Sequence, residues 1–505
     1  MISLDPRVTF AVLARAETEA EHLEELGDAL RGPHSTALRA AQQPLARRIE
    51  RLGVGRALAQ AERLVAWMES RPEYAALCAG GARRGGRRPL KASVRFPKPE
   101  KARWLHARLD TAGVDFELSS PEAWTDALDA LASLREGVRP NPGHPAVRDL
   151  LAELASVGWI GEHELAPPRL AGAEPGLLFV GHNTALFSTA TTRVLVDPWL
   201  RPWHDGDPRD YHPLLPEHLG RVDAICITHG HGDHFHLGTL VRFRRDTRVF
   251  VPRVPKDTLV GVSLARTLTE LGFTRVSELS PGERVKIGDV EIDALPFHGE
   301  QPTATELVDP ELRNVGVTYA LRTPAFSAAF LADTGLDATG DMRAAALAAR
   351  RERGPVDAVF TGARGFSLYP LMLPLTTLDV LFANVPLELV AAHQRLMHDS
   401  EGALDVAEAF GARFVVPYAD GGAPWYWREG MGPSYAGYPS YEGWRAAPSE
   451  SREVAEADPF PERVAELAAR RHSAVSALIL RPGDALRLTR GRPRITRFTG
   501  YAWPF

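Results

Sequence analysis

The stretch DAICITHGHGDHFH, residues 223–236, decides how this chain is read. Its first half is an apolar run of the kind that makes a buried strand, and its second half is a Gly-punctuated turn crowded with His and Asp. A buried strand fixes the backbone, and glycines at its end let several side chains converge on one point. In the pattern H-x-H-x-D-H, His229 and His231 can ligate one metal ion, while Asp233 and His234 reach a second a few ångströms away. Neutral imidazoles and a carboxylate suit Zn, Fe and Mn alike. His236 falls outside the pattern and reads as a surface or supporting residue.

The residues on either side extend the pattern. Gly181-His182-Asn183-Thr184 is followed by RVLVDPWL (193–200), a strand ending in Asp197. Together with the loop, these segments resemble the metallo-β-lactamase superfamily, in particular its N-acyl-phosphatidylethanolamine phospholipase D-like branch. The resemblance implies an α+β fold, a four-layer αββα sandwich, with Asp197 supporting the metal loop through hydrogen bonds. It places His182 near the site, although a buried structural His would read the same way. Asp333, ending the apolar strand of SAAFLADTG (327–335), resembles the carboxylate that bridges both metals; a strand-ending Asp in an Asx turn is the plainer alternative. His398, in LMHDSEGALDVAEAFGAR (396–413), resembles the last His motif, with His393 as its competitor.

The third motif is contested. The strand VEIDALPF (290–297) runs into His298-Gly299-Glu300. A hydrolase of this superfamily places a His here, and His298 would serve. A Glu here resembles instead the di-iron β-hydroxylase of the chloramphenicol pathway, and Glu300 would serve for that. The chain also departs from the phospholipase-like pattern Pro-x-His-Trp-Gly: the strand RFVVP (413–417) continues into Tyr418, Ala419 and Asp420 with no His.

Two chemistries follow for one site of two divalent metal ions. A hydrolase, first on base rates, would use zinc to lower the pKa of a shared water towards about 7, with Asp233 orienting the nucleophile and His182 close by. Its substrate would be an ester, amide or phosphodiester. An oxygenase would use two irons, whose higher oxidation states are favoured by an added hard carboxylate. Manganese fits the same donors, and an inactive binding scaffold is a third reading that the intact loop argues against.

Upstream the pattern is different. Residues 8–70 read as helices, with stretches at 35–52 and 55–69 after a Gly32-Pro33 break, as do 98–112, 121–135 and 145–157, the last with Pro145 in its first turn. APPRLAGAEPG (166–176) reads as a linker, after which short strands take over. The expected organisation is thus a separate, mainly helical N-terminal domain (1–170), a catalytic domain (177–425), and an aromatic-rich loop with C-terminal strands (426–505). The loop APWYWREGMGPSYAGYPSYEGW (423–444) would cover a substrate or pack on itself. CAGGARRGGRRP (78–89) offers a phosphate or nucleic-acid contact, or a solvated loop. The N-terminal domain would pair subunits as a homodimer or dock a carrier protein that delivers a small-molecule or peptide-like substrate.

The chain has 505 residues, a net charge of −5 and two cysteines. That balance gives no reason to expect nucleic acid as a partner, and the sparse cysteines suit a reducing cytoplasm. No apolar run approaches the ~20 residues of a membrane span.

Overall fold

A computed structural model describes residues 2–5, 7–14, 54–70, 72–96, 102–109, 112–163, 175–200, 214–258, 261–304, 306–363, 365, 367–368, 385–390, 392, 394–419, 462–480, 483–489 and 492–496. The helix expected at 35–52, the aromatic loop at 423–444, most of the linker and His393 lie outside them.

The strand of the opening motif, Ala224–Cys226, lies in an eight-stranded sheet. In spatial order this first sheet runs Val276–Leu279, Arg248–Pro252, Ala224–Cys226, Arg193–Val196, Thr184–Ser188, Gly176–Gly181, Ala485–Thr489 and Arg492–Thr496. The four strands from Arg193–Val196 to Val276–Leu279 are parallel neighbours, and the rest pair antiparallel. The second sheet has seven strands: Arg284–Ile287, Val290–Pro296, Val317–Arg322, Ser327–Phe330, Ala358–Thr361, Phe414–Pro417 and Ser476–Ala477. The C-terminal strands are thereby divided between the two sheets.

Near-continuous apolar strands are explained by burial on both faces. Because side chains alternate, Phe179, Val194, Val196, Ala224 and Cys226 face the second sheet and meet Ile292, Tyr319, Phe330 and Phe360. Their neighbours Leu178, Val180, Leu195, Ile225 and Ile227 face the opposite way, into a different core. The outer face of the second sheet is covered by the helices Met342–Arg353, Ser400–Phe410 and Glu462–Arg470 through Met342, Ala346, Leu404, Phe410, Val464 and Leu467. This is the expected αββα sandwich.

The N-terminal segment holds the helices read at 55–69, 121–135 and 145–157, found as Val54–Ser70, Pro121–Arg135 and Pro145–Ser156. The last two start as capped helices should. Ser120 accepts the Ala123 N–H and the His144 ring accepts that of Ala146, with a proline at the first helical position of each. Two stretches read as helix are strands instead. Thr9–Ala14 and Ala102–Leu109 form a three-stranded antiparallel sheet with Ala112–Glu117. TFAVLA is apolar almost throughout, so it carries no period, and tertiary pairing chose the strand. Phe10, Leu105, Trp124, Leu128 and Leu131 share one core with Leu178, Leu195, Ile225 and Ile227 of the first sheet. The N-terminal segment is thus part of the outer layer on that sheet.

The arginine patch at 78–89 is a tight hairpin. Arg84 and Arg87 exchange both backbone hydrogen bonds around Gly85 and Gly86, whose φ values of 52° and 81° suit a two-residue turn. Its arginines bind this chain: Arg84 reaches Asp309 and the Val308 carbonyl, Arg87 the Val385 carbonyl, and Arg83 pairs with Glu69. Among the described residues no helix is long and apolar enough to cross a membrane.

Candidate metal centre

The residues of the candidate site sit just beyond the ends of strands, on one edge of the sandwich. His229, His231, Asp233 and His234 follow Ala224–Cys226, Asp197 follows Arg193–Val196, and His182 follows Gly176–Gly181. On the facing sheet, Glu300 follows Val290–Pro296 and Asp333 follows Ser327–Phe330. The Tyr319 hydroxyl donates to the Ile227 carbonyl at 2.9 Å, tying the two sheets directly behind the loop.

Asp197 organises that loop. It is fully buried with φ 42°, and its carboxylate accepts the Thr228 N–H at 2.7 Å and the Thr228 hydroxyl at 2.6 Å. Its Oδ2 also lies 2.8 Å from His234 Nδ1, which aims His234 Nε2 into the site. This is the supporting role expected of Asp197.

Three overlapping groups could each hold an ion: His229, His231 and Glu300; His229, His234 and Asp333; and His182, Asp233 and His234. In the first, Glu300 Oε2 lies 2.9 Å from His229 Nε2 and 2.7 Å from His231 Nδ1. In the second, His234 Nε2 lies 3.2 Å from Asp333 Oδ2. In the third, His182 Nε2 lies 2.8 Å from Asp233 Oδ2, and Asn183 donates to the Asp233 carbonyl.

Buried polar atoms test whether these donors suit a metal. His229 Nε2, His234 Nε2 and Asp333 Oδ1 are buried without a well-aligned hydrogen bond, although carboxylate oxygens lie near both nitrogens, a costly state for atoms that can ligate. Across the three groups, four imidazoles and three carboxylates form the donor set of a divalent-metal site.

Two expected ligands stand apart. His298 turns away: its Nδ1 lies 3.0 Å from the Thr339 hydroxyl and 3.8 Å from Asp337, and its ring packs on Gly340. Of the contested pair, the structure brings Glu300 to the histidines and leaves His298 outside. His398 is buried, and its N–H bonds the Thr334 carbonyl next to Asp333, but it joins none of the three groups. Its Nδ1 lies 3.1 Å from the Thr361 hydroxyl. His236 accepts the Thr239 N–H as a helix cap, a structural role.

The fields in the site follow from this crowding. Burial pulls the His231 pKa down, but Glu300, with help from Asp233 and Asp333, raises it to about 9. Burial raises Glu300 and Asp233, yet the adjacent imidazoles hold both carboxyls well below the usual range. Asp333 is raised, first by burial and then, against the opposing pull of His234, by Glu300 and Asp233. Burial lowers His398 to about 4.

Two participants were missed in the sequence. Asn314 Nδ2 donates to Glu300 Oε2 at 2.9 Å. The Tyr418 hydroxyl accepts the N–H of Ala332, whose φ of 51° turns the chain into Asp333. Only the unusual polar residue amid RNVGV, and a Tyr where the hydrolase pattern has its variable position, hinted at either. Ala419, buried at φ 58°, stands where that pattern has its His.

Known proteins resemble the chain in part and in whole. Residues 192–418 match the family described as Beta-lactamase superfamily domain. A Streptomyces venezuelae protein named 4-amino-L-phenylalanyl-[CmlP-peptidyl-carrier-protein] 3-hydroxylase is 35% identical over 206 residues, 39% of this chain and 36% of that one. A UPF0173 metal-dependent hydrolase from Solibacter usitatus is 28% identical over 118 residues, 23% of this chain and 44% of its own length. The chain therefore spans under half the length of either relative in sequence. The crystal structure of CmlA, a diiron beta-hydroxylase from Streptomyces venezuelae, superposes with a TM-score of 0.58 at 17% identity, covering 98% of this chain and 99% of that one. The two share a fold.

Proposed function

The chain has the metallo-β-lactamase fold, with a beta-lactamase superfamily domain over residues 192–418, and from that premise we propose a di-iron oxygenase that hydroxylates a C–H bond. This reverses the order that base rates give. The observation that carries it is Glu300, whose carboxylate lies against His229 and His231 where a hydrolase of this fold places an imidazole, while His298 faces Thr339. An added hard anionic donor favours iron in its higher oxidation states.

When bound, two irons would supply O₂ activation, one oxygen atom entering the C–H bond and the other leaving as water with two electrons and two protons from an external reductant. The chain's residues do the rest. His229, His231 and Glu300 would hold one ion, and Asp233, His234 and Asp333 the other. Asp197 fixes His234 and the loop, and His182 holds the Asp233 carboxylate in one orientation. His398 is retained as a candidate ligand beside Asp333. The substrate we propose is an aminoacyl group tethered to a carrier protein. The Streptomyces relative's name supports that reading, as does an outer layer built from the N-terminal segment.

Hydrolysis is the second reading, and relatives named metal-dependent hydrolases favour it. Metal content and the optical spectrum of the purified protein separate the two. Two irons per chain with an oxo-bridge band near the ultraviolet edge are expected. Zinc in both positions, with ester or phosphodiester cleavage lost in His231→Ala, would overturn the oxygenase.

A further inference from the structure

The backbone at Glu300 is strained. Its φ of 52° is a left-handed conformation that a non-glycine residue adopts only where its surroundings hold it. The holding contacts are on every side. The Gly299 N–H donates to Asp337, the Glu300 N–H donates to the Leu396 carbonyl, and the Gln301 amide donates to the Asn314 carbonyl at 2.8 Å. One contact reaches the carboxylate itself: Asn314 Nδ2 donates to Oε2, the same oxygen that faces both histidines.

Asn314 is well suited to this. It is 6% exposed and lies just before the strand Val317–Arg322, whose first N–H bonds the Thr228 carbonyl beside His229. Its amide orients the carboxylate without cancelling its charge, as a lysine or arginine would. The loop joining Glu300 to Asn314 is pinned from outside. Asp309, 4% exposed, accepts from Arg84 of the N-terminal hairpin at 2.9 Å and from Arg95 at 3.0 Å, and Thr303 donates to Gln394. The hairpin fits closely: a side chain on Gly86 would collide with Leu387, and one on Gly85 with Val308.

We propose that Asn314 is a positioning residue that fixes the Glu300 carboxylate against His229 and His231, in a loop that arginines of the N-terminal segment clamp in place. The proposal rests on Glu300 as a ligand, not on which reaction the metals perform. Cobalt(II) is therefore the probe, since its binding and visible absorption report the donor set without oxygen chemistry.

Full-length protein stripped of metal is titrated with cobalt(II) in four forms: parent, Asn314→Leu, Glu300→Ala and the double variant. Removing a hydrogen bond that orients a ligand typically weakens metal binding about ten- to hundredfold. That loss, with altered visible bands, is expected for Asn314→Leu in the parent background and is expected to vanish in the Glu300→Ala background. Equal losses in both backgrounds, or an unchanged affinity and spectrum for Asn314→Leu, would overturn the proposal. So would parent-like binding by Glu300→Ala. If circular dichroism shows Asn314→Leu unfolded, Asn314→Ala replaces it in the same cycle. Zinc in the purified protein would overturn the oxygenase and leave this result standing.

Discussion

His231 shows how the candidate ligands set one another's charge. Without metal its pKa is raised from 6.5 to about 9, chiefly because Glu300 outweighs the opposing effect of burial. A protonated imidazole cannot ligate, so below about pH 9 each ion bound at His231 displaces a proton. Apparent affinity for cobalt(II) should then climb by up to about tenfold per pH unit between pH 6.5 and about 9, and level off above. Titrations across that window check it, and a flat profile would rule it out. Glu300→Gln removes the charge responsible, so it should both lower metal occupancy and flatten the slope. His298→Ala, which removes a ring lying against Thr339, Asp337 and Gly340, should leave bound metal unchanged. These two residues stand two apart in the sequence, just past the same strand. What separated them was the direction of the turn at Gly299, with φ 140°, and Glu300.

At the scale of elements, the strands that carry candidate ligands were legible because each pairs a buried apolar run with a turn. The strand Thr9–Ala14 was not, because its pairing partner Ala102–Leu109 lies about a hundred residues on and its own composition suits either state. Its position depends on Gly238. The short helix Leu237–Leu240 passes so close beneath it that any Cβ on Gly238 would strike the Phe10 carbonyl, and Arg242 donates to the Val8 carbonyl nearby. Gly238→Ala should therefore destabilise the protein by about 1–3 kcal/mol through overpacking, read as a lower midpoint in denaturant unfolding. A midpoint equal to the parent's would show that the strand is free to shift.

At the scale of the whole molecule, the first sheet has no solvent-facing side in its centre. Leu178, Val180, Leu186, Leu195, Ile225 and Ile227 pack against residues of the N-terminal segment. A chain begun at residue 175 should thus bind a hydrophobic dye strongly and aggregate, although every candidate ligand is present. A soluble, dye-silent truncation would mean that the two parts are energetically independent. The sequence by itself determined the candidate metal loop, its supporting Asp197 and the sandwich, because those signals are local: an apolar run, a glycine, a candidate ligand at fixed spacing. Only the tertiary structure set Glu300, and not His298, against the histidines, brought Asn314 to the carboxylate and set the N-terminal segment on the first sheet. Each of these depends on where a side chain points after a turn, or on which distant surface covers an apolar face, and neither is encoded in spacing along the chain.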